Sequence, residues 1–232
     1  MIESLNNDWA AISLTLKLAF LTVIVLLIIG LPLAWWLAKY KGVLKPFIEA
    51  LIALPLVLPP TVLGFYLLTA FSPQSWLGQL WISLIGEQFV FSFTGILVGS
   101  IVYSLPFVVQ PMVAAFTQIA GHAQLSASTL GIGRIKTFVF IVLPMTKASL
   151  LSAATLGFAH TLGEFGLILM IGGNIPSETQ VVSIALFNHV ESLQYQSAHA
   201  LSLTLLLVSM VSLTLLYKFN RSGLPLGIGA GK

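Results

Sequence analysis

The chain predicts an all-α integral membrane protein, a five-span helical bundle with its N-terminus outside and its C-terminus in the cytoplasm. Three observations predict it. Hydrophobic residues make up 57% of the 232 positions and charged residues only 7%, against roughly 25% charged in a soluble domain. Mean hydropathy is +1.01, too apolar to coat a soluble globule. Five stretches, about 12–38, 47–71, 93–117, 147–171 and 198–218, reach the roughly 20 apolar residues that cross a hydrocarbon core.

The loop charges orient the bundle. Lys39, Lys41 and Lys45 follow span 1, Arg134, Lys136 and Lys147 lie between spans 3 and 4, and Lys218, Arg221 and Lys232 follow span 5. Glu3, Asp8, Glu87, Glu178 and Glu191 lie on the other side, with Lys17 as the only cation near them. The positive-inside rule therefore puts the first set in the cytoplasm. The pI near 9.3 is a topology signal and not one for nucleic acid. No cysteine is present, so disulfides and thiolate metal sites are excluded.

Each element follows in order. The start is acidic and lacks a basic n-region, so span 1 is read as retained. Lys17 snorkels at one end of it, and Trp35 and Trp36 sit at the other as interfacial aromatics. Spans 1–3 carry Pro32, Pro55, Pro59, Pro60, Pro106 and Pro111. These read either as broken helices along a path or as static kinks. Between spans 2 and 3, Trp76, Leu77, Leu80, Trp81, Leu84 and Ile85 recur at helical spacing. They form an interfacial anchor or a docking face for an external protein.

Residues 119–130 read as a short helix ended by Gly131, either a lever or an ordinary loop helix. In span 4, Ser149, Ala153 and Gly157 form one row of small residues, and Ala159 and Gly163 start another. Such rows suit the centre of a bundle or a dimer interface equally. Glu164 is the only carboxylate well inside a span, about 10 Å from its outer end at 1.5 Å per residue. It reads as a gate, a hydrogen-bonded node or a proton site; the plainer reading has it capped by freed backbone donors or by His160, four residues earlier. The 172–197 segment is the other large external loop. Residues 1–222 read as one domain, and the Gly-rich stretch 223–232 as a disordered tail. No Walker motif, catalytic triad spacing, HExxH or paired carboxylates is found, so the chain predicts no enzyme and no metal site.

The segment Gln124-Leu125-Ser126-Ala127-Ser128-Thr129-Leu130-Gly131, followed nine residues later by Ile141-Val-Leu-Pro144, resembles the EAA loop of permeases in binding-protein-dependent ABC importers. Leu125-Ser126-Ala127 stands where that motif has Glu-Ala-Ala, so the loop carries over and its acidic contact does not. Leu54-Pro-Leu-Val-Leu-Pro-Pro-Thr-Val-Leu-Gly64, Leu162-Gly-Glu-Phe-Gly166 and Gly173-Asn-Ile-Pro-Ser-Glu-Thr179 are similar to the molybdate-type, ModB-like permeases. The Leu-Gly-Glu-Phe-Gly stretch is shared with sulfate permeases.

The resemblance covers essentially residues 9–220 and implies the ABC importer permease fold in a bacterial or archaeal cytoplasmic membrane. It implies a homodimer, two cytoplasmic ATPases that carry ATP and magnesium, an external oxyanion-binding protein and contact with membrane lipid. It implies 118–146 as the ATPase-coupling loop, Pro144 included, and Thr61, Ser104 and Glu164 near the path of molybdate or tungstate. The rival readings are a sulfate or thiosulfate permease, a non-transporting membrane anchor and a secondary carrier.

Overall fold

The computed structural model describes the backbone of residues 2–129 and 133–221, and their side chains except at 2–7, 120–129, 134, 216 and 219–221. Helix α1 (Ile2–Lys39) runs unbroken through Pro32. It exceeds the expected 12–38 span at its N-terminal end. Its 38 residues extend about 57 Å, so one end protrudes well beyond a 30 Å core.

The expected second span, 47–71, is two helices. α2 (Lys45–Val57) and α3 (Pro60–Ala70) meet at 110°. The cause is the tandem Pro59-Pro60. A residue before proline is driven out of the helical region. Leu58 (ψ 137°) and Pro59 (ψ 137°) are both extended, so the ladder stops there and restarts at Pro60. Pro55, Pro106 and Pro111 lie inside helices that continue past them. The break is thus the work of the proline pair and not of proline alone.

α4 (Trp76–Ile85) is the expected amphipathic helix. Ser75 Oγ caps it, accepting from Gly78 N at 2.9 Å, and Gly86 closes it with φ 85°. Trp81 turns inward against Phe89, which stacks on Phe71 at 4.1 Å. Trp76, Leu80, Leu84 and Ile85 are exposed.

α5 (Phe93–Thr129) is one helix of 37 residues. The expected span 93–117 and the separate short helix 119–130 are therefore continuous up to Thr129. After it come α6 (Arg134–Thr137), a π-helical turn (Phe138–Val142) and α7 (Leu143–Met145). Pro144 has no N–H to donate. The turn before it slips register, with Leu143 N bonded to Phe138 O five residues back.

The chain then bends by 79° at Thr146 into α8 (Lys147–Leu162). The expected span 147–171 is broken as well. α8 stops at Leu162, and α9 (Gly166–Gly172) follows after Gly163-Glu164-Phe165. The segment after α9 contains α10 (Val182–Glu191), and α11 (Tyr195–Arg221) closes the described chain. Among the described residues three helices are individually long and apolar enough to cross a membrane, and up to five crossings result if each bent pair counts as one.

α1, α5 and α8 form the centre. Leu26, Ala34, Leu37, Val108, Met112, Phe116 and Ala153 make one buried cluster. A Cβ on Gly157 would lie 3.0 Å from Val108 Cγ2. That close approach assigns Ala153 and Gly157 to packing within the bundle. Trp35 joins this core, edge-on to Phe116 at 5.4 Å, whereas Trp36 stays exposed and stacks on Tyr40. Around α9 the packing is tighter still. A Cβ on Gly172 would meet Ile96 Cγ2 at 2.5 Å, and one on Gly64 would meet Met170 Cβ at 2.8 Å.

Candidate functional site

The site is the break between α8 and α9. The last turn of α8 tightens, with Glu164 N donating to Thr161 O at 3.3 Å, and Phe165 (φ −128°, ψ −65°) redirects the chain. Glu164 is thereby carried on irregular backbone. Such backbone is tolerated at membrane depth only where protein or a water-lined cavity meets it. Here Ser183 Oγ donates to Glu164 O at 2.6 Å, which ties the break to α10.

The Glu164 side chain is 4% exposed, and neither carboxyl oxygen has a hydrogen-bond partner among the described residues. Ser100 faces it from α5 without reaching hydrogen-bond geometry, and its Oγ is unpartnered too. No cation pairs with this carboxyl among the described residues. A buried polar group left so costs about 1–3 kcal/mol, more if charged.

His160 is not its partner. The expectation of a shared helix face fails because α8 ends at Leu162. The ring instead places Nδ1 2.9 Å from Ser104 Oγ and stacks on Phe107 at 4.0 Å, with Tyr103 at 4.7 Å. Ser104 Oγ also lies 3.1 Å from Thr161 Oγ1, which donates to Gly157 O at 2.9 Å. Ser104 thus sits in a satisfied polar knot one turn from the unsatisfied pair of Ser100 and Glu164.

Thr61 lies in the first turn of α3, exposed. A Cβ on Gly166 would meet its Cγ2 at 3.1 Å. The structure therefore gathers Thr61, Ser104 and Glu164 around one break, each against a different part of it. Ser100 and Ser183 were missed in the sequence. Ser100 is signalled by its place one helical turn before Ser104 in an apolar span; nothing local marks Ser183.

Of the coupling segment, Gln124, Leu125, Ser126, Ala127, Ser128 and Thr129 fall in the last turns of α5, their side chains outside the described residues. Leu130, Gly131 and the 223–232 tail lie outside the described residues altogether. Pro144 is exposed in α7, and Lys136 and Lys147 flank it as exposed cations. The Gly173-to-Thr179 loop is built on Thr179 Oγ1, which donates to Gly172 O at 2.6 Å and accepts from Ile175 N at 3.2 Å. Among the described residues no group of three His, Asp or Glu side chains is placed to hold a metal.

Residues 30–222 match the model of the family described as "Binding-protein-dependent transport system inner membrane component". The chain is 50% identical over 216 residues to the molybdenum transport system permease protein ModB of Azotobacter vinelandii, covering 93% of this chain and 96% of that one. It is 32% identical over 211 residues to a probable sulfate transport system permease protein cysT of Chlorella vulgaris, covering 91% of this chain and 79% of that one. Its fold is that of a chain in the crystal structure of a bacterial ABC transporter that imports alginate, with TM-score 0.74 at 19% identity over 92% of this chain and 78% of that one. The chain is a multi-pass membrane protein and belongs to the family of binding-protein-dependent transport system inner membrane components.

Proposed function

We propose that this chain is the permease subunit of an ATP-driven importer of molybdate or tungstate in a bacterial or archaeal cytoplasmic membrane. The observation that carries the reading is the 50% identity to a molybdenum permease along nearly the whole of both chains, against 32% to the sulfate permease. The working unit is a homodimer with two cytoplasmic ATPases, which hold the ATP and magnesium, and an external oxyanion receptor. The chain crosses five times, N-terminus outside, with nine of its ten basic residues within.

The geometry supports a lever. The segment from α6 to α7 lies at 79° to α8, hinged at Thr146. Thr146 Oγ1 donates to Val142 O at 3.0 Å, so the hinge is a held corner and not a slack loop. Force from an ATPase on the 118–146 connector reaches α8 through this corner and arrives at its far end, the break that carries Glu164. Glu164 acts there as a gate. Among the described residues no fixed positive charge meets a dianion at this break, so it is not trapped there. The exposed Thr61 offers a weak hydroxyl contact, while Ser104 stays buried in its polar knot and positions the end of α8. Selectivity then rests with the receptor.

The test is ATP hydrolysis and uptake by the reconstituted permease, ATPase and receptor, with molybdate, tungstate and sulfate in competition. Stimulation by molybdate that sulfate cannot displace is expected; equal response to sulfate makes this a sulfate-type permease. Gly131→Pro in the connector should leave hydrolysis but abolish coupled uptake. Normal uptake in that variant, or failure to co-purify an ATPase, overturns the lever.

A further inference from the structure

A polar cavity lies apart from Glu164, at the outer end of the bundle. It measures about 440 Å³ and is walled by α1, the α4–α5 linker and the α9–α10 loop. Lys17, Glu87, Gln88, Ser92, Ser177 and Glu178 supply its polar side chains. Lys17 Nζ lies over the Phe93 ring, 4.4 Å from its centroid. Glu87 is held from below, its Oε1 accepting from Thr94 Oγ1 at 2.7 Å.

Two observations place this cavity among lipid headgroups. Lys17 and the boundary residue Trp36 are 19 residues apart on one helix, about 28 Å at 1.5 Å per residue, which is the thickness of the hydrocarbon core. In addition, the wall from Glu87 to Phe93 continues directly from α4, whose exposed Trp76, Leu80 and Leu84 suit the acyl boundary.

We propose that this cavity binds the headgroup of a zwitterionic phospholipid bearing a primary ammonium, with the phosphate on Lys17 and the ammonium between Glu87 and Glu178. One cation beside two carboxylates disfavours a free dianion and an anionic headgroup alike. A phosphate tethered to its own ammonium satisfies both signs at once. The site is independent of the transported substrate.

Native mass spectrometry of the purified permease with phosphatidylethanolamine or phosphatidylglycerol at equal concentration tests it. Phosphatidylethanolamine should be retained preferentially. Lys17→Ala should weaken its retention about fivefold, the scale of a partly exposed ion pair. The double variant Glu87→Gln with Glu178→Gln should reverse the preference toward phosphatidylglycerol, which a merely structural role would not do. It also keeps the test alive should Lys17→Ala fail to fold. Equal retention of the two lipids, or no change of preference in the double variant, overturns the proposal. So does Lys17-dependent displacement of the lipid by molybdate, which would make the cavity an oxyanion site.

Discussion

His189 on α10 brings its Nε2 within 2.9 Å of Asp8 Oδ1 on α1, while its Nδ1 faces Gln194 Oε1 at 3.0 Å. Both ring nitrogens thus meet oxygen acceptors in the assigned amide orientation, and only the doubly protonated ring donates to both. Burial pulls the imidazole pKa down, but the bonds to Asp8 and Gln194 and the Asp8 charge outweigh it, so the net shift is upward. Asp8 is what faces it from α1 and Gln194 from the α10–α11 turn. Glu191, Tyr195 and His199 make no hydrogen bond or ion pair to it among the described residues. This clasp fastens the N-terminal part of α1 to α10 and the α10–α11 turn, next to the bond from Val182 N to Thr15 Oγ1 at 2.8 Å.

A pH dependence follows. The folded-state pKa of His189 lies above the ordinary imidazole value, so the clasp is fully present below that ordinary value. It is lost as pH rises through the raised one. Melting of the purified protein should decline across this window, and His189→Gln should flatten the decline. Asp8→Asn should cost about 1 kcal/mol at low pH and little at high pH, since the pair is only partly shielded. A wild-type melting curve that is flat over the window contradicts the clasp.

Glu164 should show stability and function pulling apart. Replacing it with methionine, which is similar in length and needs no partner, should raise the melting temperature. The gain expected from relieving an unpartnered buried group is about 1–3 kcal/mol. Coupled uptake should fall in the same variant. Higher stability with uptake intact would remove Glu164 from the gate.

Ser104→Ala should destabilise by about 1 kcal/mol, because His160 Nδ1 loses its partner while Thr161 keeps Gly157 O. Thermal unfolding of Ser104→Ala and Thr161→Val together checks this. The two should be less than additive, because both remove the same 3.1 Å contact.

Two glycines only nine residues apart should behave oppositely. An alanine at Gly172 drives its Cβ to 2.5 Å from Ile96 Cγ2 and should cost about 1–3 kcal/mol by overpacking. At Gly163 the nearest atom is His160 O at 4.0 Å, so alanine there should be close to neutral. A melting comparison of the two variants settles the contrast, and equal shifts refute the packing described around α9.

Composition alone marks the membrane, and hydropathy finds all five apolar stretches, since a bilayer imposes a length that any sliding window detects. The amphipathic pattern of 76–85 is legible for a related reason: one helix face alone records its surroundings. Hydropathy cannot report continuity. Segments 47–71 and 147–171 each read as one span because a window of about 20 residues averages over a break of two or three, even one that contains Glu164. The Pro59-Pro60 break has a local cause that the sequence displays, whereas the break at Gly163–Phe165 has none as plain. It is held in part by Ser183, 19 residues away.

What the sequence determined by itself was the solvent: a lipid environment, the count of apolar segments, and which loops carry the positive charge. Those are sums over many residues and survive any rearrangement of the helices. Tertiary structure alone decided that His160 turns to Ser104 and away from Glu164, that Gly157 packs on Val108 within the chain, and that Asp8 meets His189. Each depends on where a helix stops or crosses another, which is settled by contacts between residues far apart in the chain.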